Sequence, residues 1–232
     1  MKKPGIIAGI GPESTIQYYR SIIRLYQQKL DTKDYPEISL ESINMTKMLG
    51  FVFREDFTEL VQFLKARVLL LEKSGADFAI LASNTPHIVF DQLAQEVDIP
   101  MISIVEETAR YVAATGLEKV SLFGTQSTMS RGFYQQKAGE HGVEIIAPDE
   151  EQQAYIHDKY MNELVFDNII PETKEKLVAI AEDQMTKDGI QGLILGGTEL
   201  PLILKQDDFP HLKIFDTTQI HVQSVVHMML ND

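Results

Sequence analysis

The chain has 232 residues, 44% of them apolar, enough to fill one large domain or two smaller ones. Its formal charge of −13 lacks the basic footprint that nucleic acid or an anionic membrane requires, yet leaves room for a small anion held by local donors. There is no cysteine, which excludes disulfides, thiolate metal sites and thiol nucleophiles.

The first predicted strand, Gly5–Ile10, is too short for a signal-peptide core or a membrane span, so a soluble cytoplasmic protein is expected. A helical stripe follows, formed by Ile16, Tyr19, Ile22, Ile23, Tyr26 and Leu30. A second strand is predicted over Glu37–Asn44, then another stripe through Phe57, Leu60, Val61, Leu64, Val68 and Leu71. Further strands are predicted at Phe78–Ala82, Met101–Ile104, Lys119–Phe123, Val143–Ala147, Gly192–Leu195 and Leu212–Phe215, and a last helix at Thr218–Leu230. Strands alternating with helices indicate an α/β fold with mainly parallel sheets.

The chain also repeats weakly. Ile6–Gly9 followed by Ser14-Thr15 resembles Ser121–Gly124 followed by Ser127-Thr128, an offset of about 115 residues that Ala79–Ala82 and Leu193–Gly196 nearly share. Two pseudo-symmetric lobes follow: residues 1–100 with 212–232, and residues 101–211. Ligands of open α/β sheets sit beyond the carboxyl ends of the strands, so the loops at Gly9, Ser83, Gly124 and Gly197 are expected around one cleft between the lobes.

Several motifs admit more than one reading. Gly9-Ile10-Gly11-Pro12-Glu13-Ser14 is a partial dinucleotide fingerprint, but Pro12 removes a donor and Glu13 would face the pyrophosphate. A tight turn beside a smaller carboxylate fits better. Ser83 lacks the Gly-x-Ser-x-Gly elbow of a hydrolase nucleophile, and His87 is expected in the first turn of a helix begun by Pro86 and capped by Asn84 or Thr85. The remaining histidines lack metal-ligand spacing, so no metal is expected. Glu106-Glu107 and Asp149–Glu151 read as solvated charge. Gly124-Thr125-Gln126-Ser127-Thr128 suits either a carboxylate cradle or a helix cap. Two strand ends, Ser83-Asn84-Thr85-Pro86 and Gly197-Thr198-Glu199-Leu200-Pro201, share a polar turn followed by proline.

Taken in order, Gly9–Tyr19, Ser83–His87, Gly124–Met129, Gly196–Glu199 and the helix after Phe215-Asp216-Thr217 resemble the aspartate/glutamate racemase superfamily of cofactor-independent amino-acid racemases over essentially the whole chain. The resemblance implies two α/β domains, a homodimer, no cofactor, and α-proton abstraction from a small acidic amino acid. Inversion needs an acid/base group on each face of the α-carbon, and the family's Cys-Asn-Thr and Gly-Cys-Thr-Glu motifs supply two thiols. Here Ser83 occupies the first cysteine position and Gly197, with no side chain, the second.

The resemblance places substrate contacts at Gly9, Gly11, Asn84, Thr85, Thr125, Thr128, Thr198 and Glu199. Lys47 is the nearest candidate for the family's side-chain clamp, and Glu163–Phe166 carries no base where a second clamp is usual. Serine is a far poorer base than a thiolate unless activated. Two alternatives stand beside racemisation: a non-catalytic amino-acid or carboxylate-binding protein, and one-sided isomerase or lyase chemistry using Ser83 and a water in the space opened by Gly197.

Overall fold

A computed structural model describes residues 1–231 and divides them into two compact units. The first comprises Met1–Ile104 with the C-terminal segment from His221 onward, and the second comprises Val105–Ile220.

The first unit is built on β1 (Pro4–Ala8), α1 (Pro12–Leu30), β2 (Ser39–Ser42), α2 (Met45–Phe53), α3 (Phe57–Lys73), β3 (Phe78–Leu81), α4 (Phe90–Gln95) and β4 (Met101–Ile102). Its four strands are parallel in the order β2-β1-β3-β4. Strands β1 and β3 are buried throughout, as expected of parallel strands covered on both faces.

The buried stripe of α3 is the predicted one: Leu60, Val61, Leu64, Val68 and Leu71. That of α1 is not. Its inward face is Ser14, Tyr18, Ile22 and Tyr26, while Ile16, Tyr19 and Leu30 are exposed. Polar anchors set this rotation: the Ser14 hydroxyl donates to the Ala82 carbonyl at 2.6 Å, and Tyr18 pairs with His221 Nδ1 at 2.8 Å. Hydrophobic periodicity alone cannot register a helix whose buried side includes hydroxyls.

The second unit contains α5 (Ile104–Ala113, from Val105 onward), β5 (Lys119–Gly124), α6 (Gln126–Ser130), α7 (Phe133–Glu140), β6 (Glu144–Ile146), α8 (Glu150–Asn162), α9 (Pro171–Asp188), β7 (Gly192–Gly196), α10 (Leu200–Ile203) and β8 (Lys213–Asp216). Its parallel order, β6-β5-β7-β8, repeats that of the first sheet strand for strand. Helix α8 starts at a capping box, with Asp149 accepting from the Gln152 N–H and the Gln152 side chain reaching back to the Asp149 N–H. Helix α9 opens on Pro171 and stops at Gly189 in a left-handed conformation, φ 70°.

All eight predicted strands exist among the described residues, with ends shifted by one or two residues: β2, β3, β4 and β6 are shorter than predicted, β1 and β8 are displaced, and β5 and β7 each run one residue further, to Gly124 and Gly196. The lobe boundary differs from the expectation. The last strand, β8, pairs with β7 and belongs to the second unit, and the Thr217 hydroxyl ties its end to the Leu195 carbonyl at 2.9 Å. The chain rejoins the first unit only at His221, within α11 (Thr217–Leu230). Val222, Val225, Val226 and Met229 there pack with Ile6, Tyr18, Phe78 and Ile80. Burial of this apolar face places the segment from His221 with the first unit.

Candidate functional site

In each sheet the two central strands, β1 with β3 and β5 with β7, end side by side, which places the loops that follow them together at the carboxyl edge. Each unit therefore carries one polar corner.

In the first unit, Gly9 and Gly11 turn the chain with φ of 76° and 89°. Glycine is required at position 9 for space as well, because a Cβ would lie 2.5 Å from Ser42 Oγ and 2.8 Å from the Ile43 carbonyl oxygen. The Thr15 hydroxyl accepts from the Gly9 N–H at 2.9 Å and donates to the Gly11 carbonyl at 3.1 Å. Across the corner, Ser83, Asn84 and Thr85 are buried. A 3-10 turn over Thr85–Val89 follows, rather than the expected helix, and its N-cap residue, Asn84, makes no side-chain cap hydrogen bond.

His87 is not a base for Ser83. Its Nδ1 lies 2.9 Å from the Ser83 carbonyl oxygen and its Nε2 accepts from the Ile104 N–H at 3.2 Å. Both ring nitrogens are thus committed to backbone, with the proton on Nδ1. Burial, and next the neighbouring His221 ring, hold its pKa down at about 3. His221 is pushed to about 4 by burial and bridges Tyr18 to the Ile102 carbonyl. Lys47, exposed at the start of α2, places its ammonium over the Phe63 ring at 5.3 Å from the centroid.

In the second unit, Gly124 approaches β7 so closely that a Cβ would lie 2.8 Å from the Gly196 carbonyl oxygen. The cap of α6 is Thr125, whose hydroxyl accepts from the Thr128 N–H at 3.3 Å and lies 3.0 Å from the Thr128 hydroxyl. The two hydroxyls of the expected cradle are therefore paired with each other. At the end of β7, Gly197, Thr198 and Glu199 are buried. The Thr198 hydroxyl donates to Glu199 Oε2 at 2.7 Å, and the Tyr160 hydroxyl donates to the same oxygen.

The space beside Gly197 is not open. A Cβ built there would stand 2.4 Å from Tyr160 Cε2, so the ring, not a water, fills the place of the absent side chain. Tyr160 is the site residue the sequence reading missed. Its only signal is the inward spacing Gln153, Ile156, Tyr160 along α8, which any core helix shows. The lysine beside it, Lys159, is taken by Glu163 at 2.7 Å. Among the described residues no group of three or more His, Cys, Asp or Glu could hold a metal ion, and no helix is long and apolar enough to cross a membrane.

Comparison with known proteins adds the family. The family model for Asp/Glu/Hydantoin racemases matches residues 7–225. The broad specificity amino-acid racemase RacX of Bacillus subtilis is 32% identical over 154 residues, covering 65% of this chain and 66% of that protein, just under two thirds of its length. The crystal structure of an aspartate racemase homologue from Pyrococcus horikoshii is 36% identical, covers 100% of both chains and superposes with a TM-score of 0.87. Glutamate racemase from Aquifex pyrophilus, 19% identical with 100% of this chain and 84% of that one covered, shares the fold with a TM-score of 0.66. With two like-ordered parallel sheets, a polar turn at each central strand end and a family match across nearly its whole length, the chain belongs to the Asp/Glu/Hydantoin racemase family.

Proposed function

We propose that this chain is a pyridoxal-phosphate-independent isomerase that acts on the α-proton of a small acidic amino acid, with Ser83 as the side chain at its first acid/base position. The observation that carries the reading is the pair of buried polar turns, Ser83-Asn84-Thr85 and Gly197-Thr198-Glu199, at equivalent strand ends of two like-ordered sheets in a racemase-family chain. In the first unit the Gly9–Gly11 turn with Asn84 and Thr85, and in the second the Gly124–Thr125 turn with Thr128, each offer backbone N–H and side-chain groups of the kind that bind a carboxylate. Thr198, whose proton is given to Glu199, retains acceptor lone pairs suited to an ammonium group. A homodimer in the cytoplasm, needing no cofactor, is the proposed working form.

A second reading, amino-acid binding without turnover, draws on two observations. His87 is committed to backbone and leaves Ser83 without that base, and residue 197 has no side chain.

Proton exchange in D₂O, followed by NMR with L- and D-aspartate, L- and D-glutamate and a panel of other amino acids, separates the readings. Exchange of either enantiomer supports isomerase chemistry. Absence of exchange across the panel, with binding seen by calorimetry, favours the binding protein.

A further inference from the structure

The backbone does not require glycine at position 197. Left-handed φ values occur at Gly9, Gly11, Gly75, Gly116, Gly132, Gly142 and Gly189, and Gly197 is not among them. What requires glycine is space: a Cβ there would lie 2.4 Å from Cε2 and 3.0 Å from Cζ of Tyr160. The ring cannot readily swing aside. It is 7% exposed, packs in one core cluster with Ile156 and Leu164, and has its hydroxyl fixed on Glu199, itself 1% exposed and also held by Thr198. Ring position and glycine therefore determine one another.

We propose that Tyr160 is the specificity-determining residue of the second strand-end site: its ring, anchored on Glu199, takes the side-chain space of residue 197 and bars an acid/base side chain from that position. The chemical meaning of the inference rests on the proposed function, which makes residue 197 one of two acid/base positions. Burial, reinforced by the Glu199 charge, raises the Tyr160 pKa well above its ordinary value, so the phenol is neutral near pH 7 and does not stand in for a thiolate base. A thiol at position 197 then requires a smaller residue at position 160. The two positions have to change together.

The test uses the absence of cysteine, which makes any introduced thiol at position 197 the only one in a variant that keeps Ser83. Thermal unfolding and thiol titration are run on G197C, Y160V and Y160V/G197C. G197C is expected to lower Tm by roughly 3–10 °C through overpacking, whereas adding it to Y160V costs nothing and yields a titratable thiol. Additive Tm changes overturn the inference, as does a G197C protein as stable as the parent. If G197C does not fold, a folded Y160V/G197C protein supports the inference, and failure of that protein where Y160V alone folds overturns it.

The chemical arm compares S83C/G197C with S83C/G197C/Y160V for α-proton exchange with inversion of aspartate. The triple variant is expected to exceed the double by about 100-fold or more, the worth of one acid/base group. A triple variant that binds aspartate by calorimetry but does not invert it overturns the inference. If neither the parent nor the triple variant binds any amino acid, the proposed function has failed instead, and the substrate-free Tm coupling still decides whether Tyr160 excludes a side chain at position 197.

Discussion

Ser83 and His87 stand four residues apart, the spacing that suggests a hydroxyl and its base, yet the imidazole serves the backbone on both sides. Replacing Ser83 by alanine therefore tests the hydroxyl alone. Exchange of the α-proton should fall by about 10²–10⁴-fold while the calorimetric Kd stays within a few-fold, and unchanged exchange would remove Ser83 from the reaction. Glu199 makes a different prediction. E199A leaves the Tyr160 and Thr198 hydroxyls buried without their common acceptor, and urea unfolding should show a loss of about 3 kcal/mol or more. The strand-end motifs were legible as sequence because their polar residues interrupt apolar runs. The partners of those residues were not: nothing in the string Asp158-Lys159-Tyr160 indicates that its ring reaches Gly197, since that contact joins residues 37 apart in number.

Among the elements, strands read well because β1, β3 and β7 are buried on both faces and so appear as unbroken apolar runs, and β5 departs from that pattern only at Lys119 and the buried Ser121. Helix facing read less well where hydroxyls are buried, as at Ser14 and Tyr18 of α1. Pro86 marks the start of a helical turn, but that turn, Thr85–Val89, is 3-10 and α4 begins only at Phe90. Turn and cap chemistry supply two tests. Gly9→Ala combines a left-handed φ with a 2.5 Å approach to Ser42 Oγ, and should cost about 2–4 kcal/mol or prevent folding, read by urea unfolding. Asp149→Ala removes one half of the α8 capping box and should cost about 1 kcal/mol by the same measurement. Because α8 carries Tyr160, fraying from that end also reports whether the ring stays fixed at the far end of the helix.

At the scale of the molecule, His87 and His221 make stability depend on pH. Both are neutral when folded, with pKa values of about 3 and about 4, against an ordinary 6.5 when unfolded. Below pH 6.5 the unfolded chain takes up protons that the folded chain refuses. The contribution is thus complete above pH 6.5 and is lost as pH falls towards 4, by about 1 kcal/mol per pH unit for each histidine. Urea midpoints at pH 7, 6 and 5 should decline accordingly, and His221→Phe should flatten the decline; midpoints constant across that range would mean that the rings are not held neutral.

The division of the chain has a kinetic side. The first unit is completed by α11, whose Val222, Val225, Val226 and Met229 fill the core around Ile6 and Phe78. During synthesis, residues 1–104 leave the ribosome before those valines exist, and the whole continuous stretch 105–220 is made in between. At 5–20 residues per second, that interval lasts on the order of 10 s. For that time the half of the chain bearing Ser83 has an uncovered apolar surface, while the later-made half can already close its own core. The first half to be translated is the second to finish folding, and it is the half exposed to chaperones and to aggregation.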